Sequence, residues 1–253
     1  MKPFHAVAAA LILELMTLAS PTGLTAAELK VLAGGSMTAV LNELKPQFEQ
    51  ASGHKLDISF AGTPDLIKQA TSGAPFDCGV VPIDVMKNAD TRAKFAGAPP
   101  IDIARVGFGV AVKAGAPKPD VSTPEKFKDA MLKAQSITLY PESAAGAYVM
   151  KVFDRLGIAD AMKAKLKAQA TPAGIPQAIA KSEAELGVFL TNVMIAPGVE
   201  LAGPFPGDLQ QDLVFIGAVA ADSKSADAAK AFLTFLKSPA AAAVFKAKGV
   251  TPG

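Results

Sequence analysis

Val31-Leu32-Ala33-Gly34-Gly35-Ser36-Met37-Thr38 is a short apolar run that breaks into two glycines and a pair of hydroxyls just where a helical pattern begins. Lys30 separates Leu29 from Val31, so the strand is read as Leu29 to Ala33, alternating at its start and buried afterwards. Gly34 and Gly35 permit a tight turn, Ser36 is a residue type favoured at a helix N-cap, and the amides beyond it are the donors a helix leaves unpaired at its N-terminus. Such an end attracts anions without a positive side chain. Two readings follow: Ser36 caps its own helix and does nothing else, or it stands at the mouth of a binding site.

Downstream, Val40, Leu41, Leu44 and Phe48 recur at helical spacing and predict one buried stripe to about Gln50, with Pro46 bending or breaking the helix. Lys55 to Phe60 alternates like a strand and runs into a second junction, Ala61-Gly62-Thr63-Pro64-Asp65-Leu66. There Thr63 suits the N-cap, Pro64 the first helical position and Asp65 the first turn. Phe76 to Val81 reads as the next strand, with Pro82-Ile83-Asp84 opening a third helix to about Asp90. This alternation implies a parallel sheet covered by helices, in which ligands bind outside the carboxyl ends of the strands. Ser36 and Thr63 both fall at such ends, which favours the binding reading over simple capping.

Residues 91–100 show no period and read as a connection, and Arg105 to Lys113 reads as one long strand. Thr123-Pro124 leads a helix; Ile137 to Tyr140 is a strand delivering the loop Pro141-Glu142-Ser143-Ala144-Ala145-Gly146, with a helix after it. Ile158 to Ala168 reads as helical, Ala170 to Ile175 as a loop before a short helix to Ser182, and Leu186 to Leu190 as a strand. Val199 to Leu201 and the apolar run Leu213 to Val219 read as further strands, and helices over Ala226 to Leu236 and Pro239 to Lys248 close the chain.

Composition narrows the function classes. Lys2, the apolar Ala6 to Ala19 and the small-residue end Leu24-Thr25-Ala26-Ala27 predict a signal peptide over residues 1–27, despite Glu14 within it. Removing those 27 of 253 residues leaves 226 and a formal net charge of +2, enough chain for one large or two small domains. No later stretch is long and apolar enough to span a bilayer, so the mature chain is expected to be soluble. Balanced charge, two tyrosines and no tryptophan exclude a basic, aromatic-laced nucleic-acid surface. The single Cys78 cannot form an internal disulfide and reads as a small buried strand residue.

Taken in order, the junctions at Ser36, Thr63, Ala145 and Pro172 resemble those of the periplasmic molybdate-binding proteins of ABC transporters, over essentially Leu29 to Thr251. Gly73-Ala74-Pro75-Phe76-Asp77 is similar to a family landmark, and Leu236 to Ala241 and Phe245 to Gly249 also fit. The resemblance implies a two-lobe α/β fold of the type II periplasmic-binding-protein kind, with mostly parallel sheets and a ligand cleft between the lobes. Residues 28–104 plus 207–253 would form one lobe and 105–206 the other, with hinge crossings near 105–112 and 204–219. It further implies an extracytoplasmic solute-binding protein of an ABC importer, a periplasmic monomer that takes a small oxyanion such as molybdate or tungstate and meets a membrane permease and its ATPase. Ser36, Thr63, Ala145, Pro172 and Gly174 would form the ligand site, with no cofactor and no resident metal. Two departures stand out: Leu190 occupies the place where the family carries a tyrosine hydroxyl, and Pro172 has no N–H to donate. A different small anion or organic acid on the same scaffold is therefore the alternative.

An exported hydrolase is the rival class. The mature chain holds one histidine, His54, read as a solvated turn residue, so a Ser-His-Asp triad would have to be built on it. One Cys and one His make a poor metal set, and Asp57, Asp65, Asp77 and Asp84 read as capping or solvated groups. The expectation is that the chain is not an enzyme. Glu142 either points into the cleft, where it would repel a dianion, or faces solvent near a helix N-terminus, where it suits the dipole.

Overall fold

The structure, a computed structural model, describes residues 26–253. All of the expected signal peptide except Ala26 and Ala27 lies outside the described residues.

Two mixed sheets carry the chain. In the first, β1 (Glu28–Gly34) runs parallel to β2 (Lys55–Ala61) on one side and β3 (Cys78–Pro82) on the other. β10 (Leu213–Val219) lies antiparallel between β3 and β4 (Ile101–Val106), and β11 (Thr251–Pro252) pairs antiparallel with the far side of β4. In the second sheet β5 (Phe108–Lys113) is antiparallel to both β8 (Leu186–Leu190) and β9 (Val199–Pro204). There β6 (Ile137–Leu139) runs parallel between β7 (Leu166–Ala168) and β8. The antiparallel pairs arise where the chain changes sheets: it leaves the first through β4 and β5 and re-enters it through β10, against the direction of its new neighbours.

Nine helices are described: α1 (Thr38–Ser52), α2 (Thr63–Thr71), α3 (Ala89–Lys94), α4 (Pro124–Lys133), α5 (Ala144–Arg155), α6 (Ala159–Lys165), α7 (Gly174–Ala180), α8 (Ala226–Phe235) and α9 (Pro239–Ala247). α1 buries Val40, Leu41, Leu44 and Phe48 as its spacing requires. Pro46 sits on its exposed face without interrupting it, where water can serve the carbonyl left unpaired by the missing N–H. Phe48 packs edge-on against Phe232 with ring centroids 5.1 Å apart, tying α1 to α8.

Several local expectations change. Residues 83–87 form only a 3₁₀ turn, and the third helix starts later than expected and runs on into the stretch read as a connection, because Asn88 caps it by accepting from the Thr91 N–H at 2.9 Å. Arg105 to Lys113 is two strands in two sheets, broken at Gly107. The helical reading of Ile158 to Ala168 ends at Lys165, after which the chain becomes edge strand β7. His54 is not solvated: it is 6 % exposed and its Nδ1 accepts from the Ala27 N–H at 3.1 Å. Cys78 is fully buried, and burial pushes its thiol above the ordinary range, which keeps it a poor nucleophile.

The return crossing is fastened by side chains, Gln210 first among them. Gln210 Oε1 accepts from the Phe108 N–H and its Nε2 donates to the Phe108 carbonyl, each at 2.9 Å, so an amide side chain takes the place of a strand neighbour. Tyr148 Oη donates to the Leu209 carbonyl at 2.9 Å, and Arg155 pairs with Asp208.

Candidate functional site

Strand ends from both sheets face one another. Gly34 and Ala61 end β1 and β2 on one side; Tyr140, just past β6, and Leu190, ending β8, stand on the other. Between them lies a cavity of about 20 Å³ bordered by Ser36, Thr63, Tyr140, Ala145, Pro172 and Leu190. That volume accommodates about one water. That is smaller than an anion of several atoms. Larger clefts of about 570 and 510 Å³ flank the cavity, and Gly35 and Pro172 border all three.

Two side-chain bonds join the halves at this point. Thr63 Oγ1 accepts from the Ala144 N–H at 3.1 Å, and Asn192 Nδ2 donates to the Ser36 carbonyl at 2.7 Å. The first fixes the donor inventory at the start of α5. The Ala144 amide is taken by Thr63, the Gly146 amide by Ser143 Oγ at 3.0 Å and the Ala147 amide by the Ser143 carbonyl at 2.8 Å. Ala145 keeps its N–H unpaired among the described residues while being 2 % exposed and bordering the cavity. A buried unpaired amide costs about 1–3 kcal/mol, and an acceptor placed in the cavity relieves that cost. Thr63 accepts from Ala144, so its own hydroxyl proton stays available as a second donor.

Among the described residues no lysine or arginine borders the small cavity; its polar groups are hydroxyls, amides and the N-terminal end of α5, an arrangement that favours negative charge without a positive side chain. Glu142 is exposed and outside the lining, on the solvent side of its two readings. Burial first, then the nearby carboxylates of Asp65 and Glu142, push the Tyr140 phenol above its ordinary value, so it is protonated and able to donate at neutral pH.

The expected site residues fare differently. Ser36, Thr63, Ala145 and Pro172 come together around the cavity; Gly174 does not. The Gly174 N–H donates to the Thr171 carbonyl at 3.2 Å and the Ile175 N–H to the Pro172 carbonyl at 3.2 Å, closing the turn on itself. This loop therefore brings no amide of Pro172 or Gly174 to the cavity and instead lays the Pro172 ring over Gly35, whose added Cβ would lie 3.3 Å from it. Neither hydroxyl is a helix cap: Met37 and Gly62 occupy the N-cap positions of α1 and α2, and Ser36 sits within a 3₁₀ turn over Gly35–Met37. Two further groups belong to this region, Tyr140 at the small cavity and Asn192 at the cleft of about 510 Å³. Tyr140 reads in sequence as the end of a strand, and its place directly before the Pro141–Gly146 loop is the available signal. Asn192 follows the Leu186–Leu190 strand; it is 8 % exposed, and its Oδ1 is sealed without a partner among the described residues.

Two sheets joined by two crossings, with neutral donors converging between their strand ends, define a two-lobed binding protein whose cleft suits a small anion. The chain belongs to the bacterial extracellular solute-binding protein family, whose model matches residues 29–251. It is 30% identical over 229 residues to the molybdate-binding protein ModA of Azotobacter vinelandii, covering 88% of this chain and 90% of that one. Its fold matches the periplasmic molybdate-binding protein of Azotobacter vinelandii with a TM-score of 0.73 at 21% identity, over 88% of this chain and 98% of that one. It is also 32% identical over 232 residues to an aconitate isomerase of a Pseudomonas species, covering 88% of this chain and 87% of that protein. That relative corrects the expectation of a non-enzyme: a protein of this length and family bears an enzyme's name.

Proposed function

We propose that the chain is the extracytoplasmic solute-binding component of an ABC importer, capturing a small anion between a lobe of residues 28–104 plus 207–253 and a lobe of residues 105–206. The signal peptide over residues 1–27 delivers it to the periplasm, where a monomer presents the closed form to a membrane permease and its ATPase. The observation that carries this reading is the unpaired Ala145 N–H, isolated by the Thr63–Ala144 bond between the halves and bordering the cavity. Ser36 and Thr63 supply hydroxyl donors from the opposite wall. The fixed Ala145 amide cannot accept a ligand proton, so that contact favours a deprotonated oxygen, such as those of molybdate or tungstate.

The aconitate isomerase relative and the apolar Leu190 favour a second reading, in which the anion is an organic tricarboxylate and the cleft acts on it. One experiment serves both. Ser36→Ala and Thr63→Ala are each expected to weaken binding of molybdate or aconitate, whichever the wild type takes, by roughly tenfold or more, about 1.4 kcal/mol, in titration calorimetry with the fold intact. Unchanged affinity in both variants would sink the site assignment.

A further inference from the structure

Gly62 has an ordinary extended backbone, φ −75° and ψ 166°, which any residue can adopt. Its lack of a side chain answers to a neighbour instead: a Cβ there would lie 2.2 Å from Tyr140 Oη and 2.7 Å from Tyr140 Cε1. The phenol from the second sheet thus rests on the bare backbone of the first, at the seam between the halves. Tyr140 is 4 % exposed and borders the cavity, and its hydroxyl has no hydrogen-bond partner among the described residues. It is not sealed off either, since Asn192 Oδ1 is the one fully sealed side-chain polar atom without a partner among those residues.

The register gives this hydroxyl a meaning. β6 and β8 are parallel neighbours, with Thr138 opposite Gly187, so the register carried on sets Tyr140 level with Phe189, one residue before Leu190 at the same end of the sheet, and both Tyr140 and Leu190 border the cavity. Leu190 offers only methyl groups to the cavity it borders. We propose that Tyr140, brought in from the adjacent strand and admitted by Gly62, is a direct ligand contact that donates its phenolic O–H to the bound anion.

This inference rests on the anion-capture reading and adds a residue and a chemistry to it. A phenol differs from an amide in being able to accept as well as donate. It therefore leaves room there, as the Ser36 and Thr63 hydroxyls do on the opposite wall, for a ligand hydroxyl or a protonated ligand oxygen, which the Ala145 N–H does not.

The composition supplies a clean readout. The chain has two tyrosines and no tryptophan, so ultraviolet difference absorbance on titration reports Tyr140 and Tyr148 alone. Tyr148 donates to Leu209 at the crossing and does not border the cavity, which makes Tyr148→Phe the control. The mature protein, Tyr140→Phe and Tyr148→Phe are each titrated with sodium molybdate and with aconitate, by difference absorbance and calorimetry. Expected is a tyrosine difference signal in the wild type and Tyr148→Phe that vanishes in Tyr140→Phe, which also binds at least tenfold more weakly. The proposal is overturned if Tyr140→Phe binds within twofold of wild type, or if the signal survives in it. If the wild type binds neither these probes nor tungstate or sulfate, the anion-capture reading itself fails, and this inference falls with it.

Discussion

Gly146→Ala is expected to lower stability by about 3 kcal/mol or more, the upper end of what an overpacked methyl costs. A Cβ at that position would lie 1.8 Å from the Tyr140 carbonyl oxygen and 2.6 Å from Pro141 Cα. Both obstacles are backbone, so no rotamer change relieves them. α5 would have to lift off the end of β6, and with it would go the Gly146 N–H bond to Ser143 Oγ and the position of the Ala145 amide. For a chain of this length that cost corresponds to a melting temperature lowered by roughly 6–12 °C. Thermal denaturation measures the drop and titration calorimetry the accompanying loss of anion binding. A variant that melts within about 2 °C of wild type and binds normally would mean that the close approach of α5 to β6 is not a feature of the folded protein.

Gln210→Leu carries the second large effect. Its volume is similar, but it removes both bonds to Phe108 and leaves the Phe108 N–H buried without a partner, a cost of about 1–3 kcal/mol. The Phe108 carbonyl keeps its bond from the Phe205 N–H at 3.0 Å, so the loss falls on one group rather than two. A melting temperature lower by roughly 2–12 °C is expected. Because Gln210 holds the outgoing crossing at Phe108 against the return crossing, the open form should also gain population, seen as a larger radius of gyration by small-angle scattering without ligand. Wild-type melting would assign Gln210 no part in fastening the crossings.

The sequence carried the junctions well and the seam poorly. Strand-to-helix breaks at Ser36, Thr63 and Ala145 are written in local chemistry, small residues and hydroxyls after apolar runs, and three of them converge on one cavity. The split of Arg105 to Lys113 into two sheets is not local: Gly107 reads as one small residue in a strand until Gln210, far along the chain, supplies the missing pairing. The solvated reading of His54 fails for the same reason, since its hydrogen-bond donor, the Ala27 N–H, precedes it by a whole strand and helix. Tyr140 looked like a strand residue because its significance lies in what Gly62 lacks, across the seam. The third helix starts later than its sequence suggests because Pro82-Ile83-Asp84 is a plausible start and Asn88 a better one, with a side-chain cap that only the folded backbone shows.

The central claim, a small anion held between the two sheets, is tested most directly by thermal unfolding of the ligand-stripped mature protein with molybdate, tungstate, sulfate and aconitate at matched ionic strength. A ligand present at about 100 times its dissociation constant adds roughly 2.7 kcal/mol. The account predicts a rise in melting temperature of roughly 5–11 °C with at least one of these anions, reduced in Ser36→Ala and Thr63→Ala. An unchanged melting temperature with all of them would contradict it.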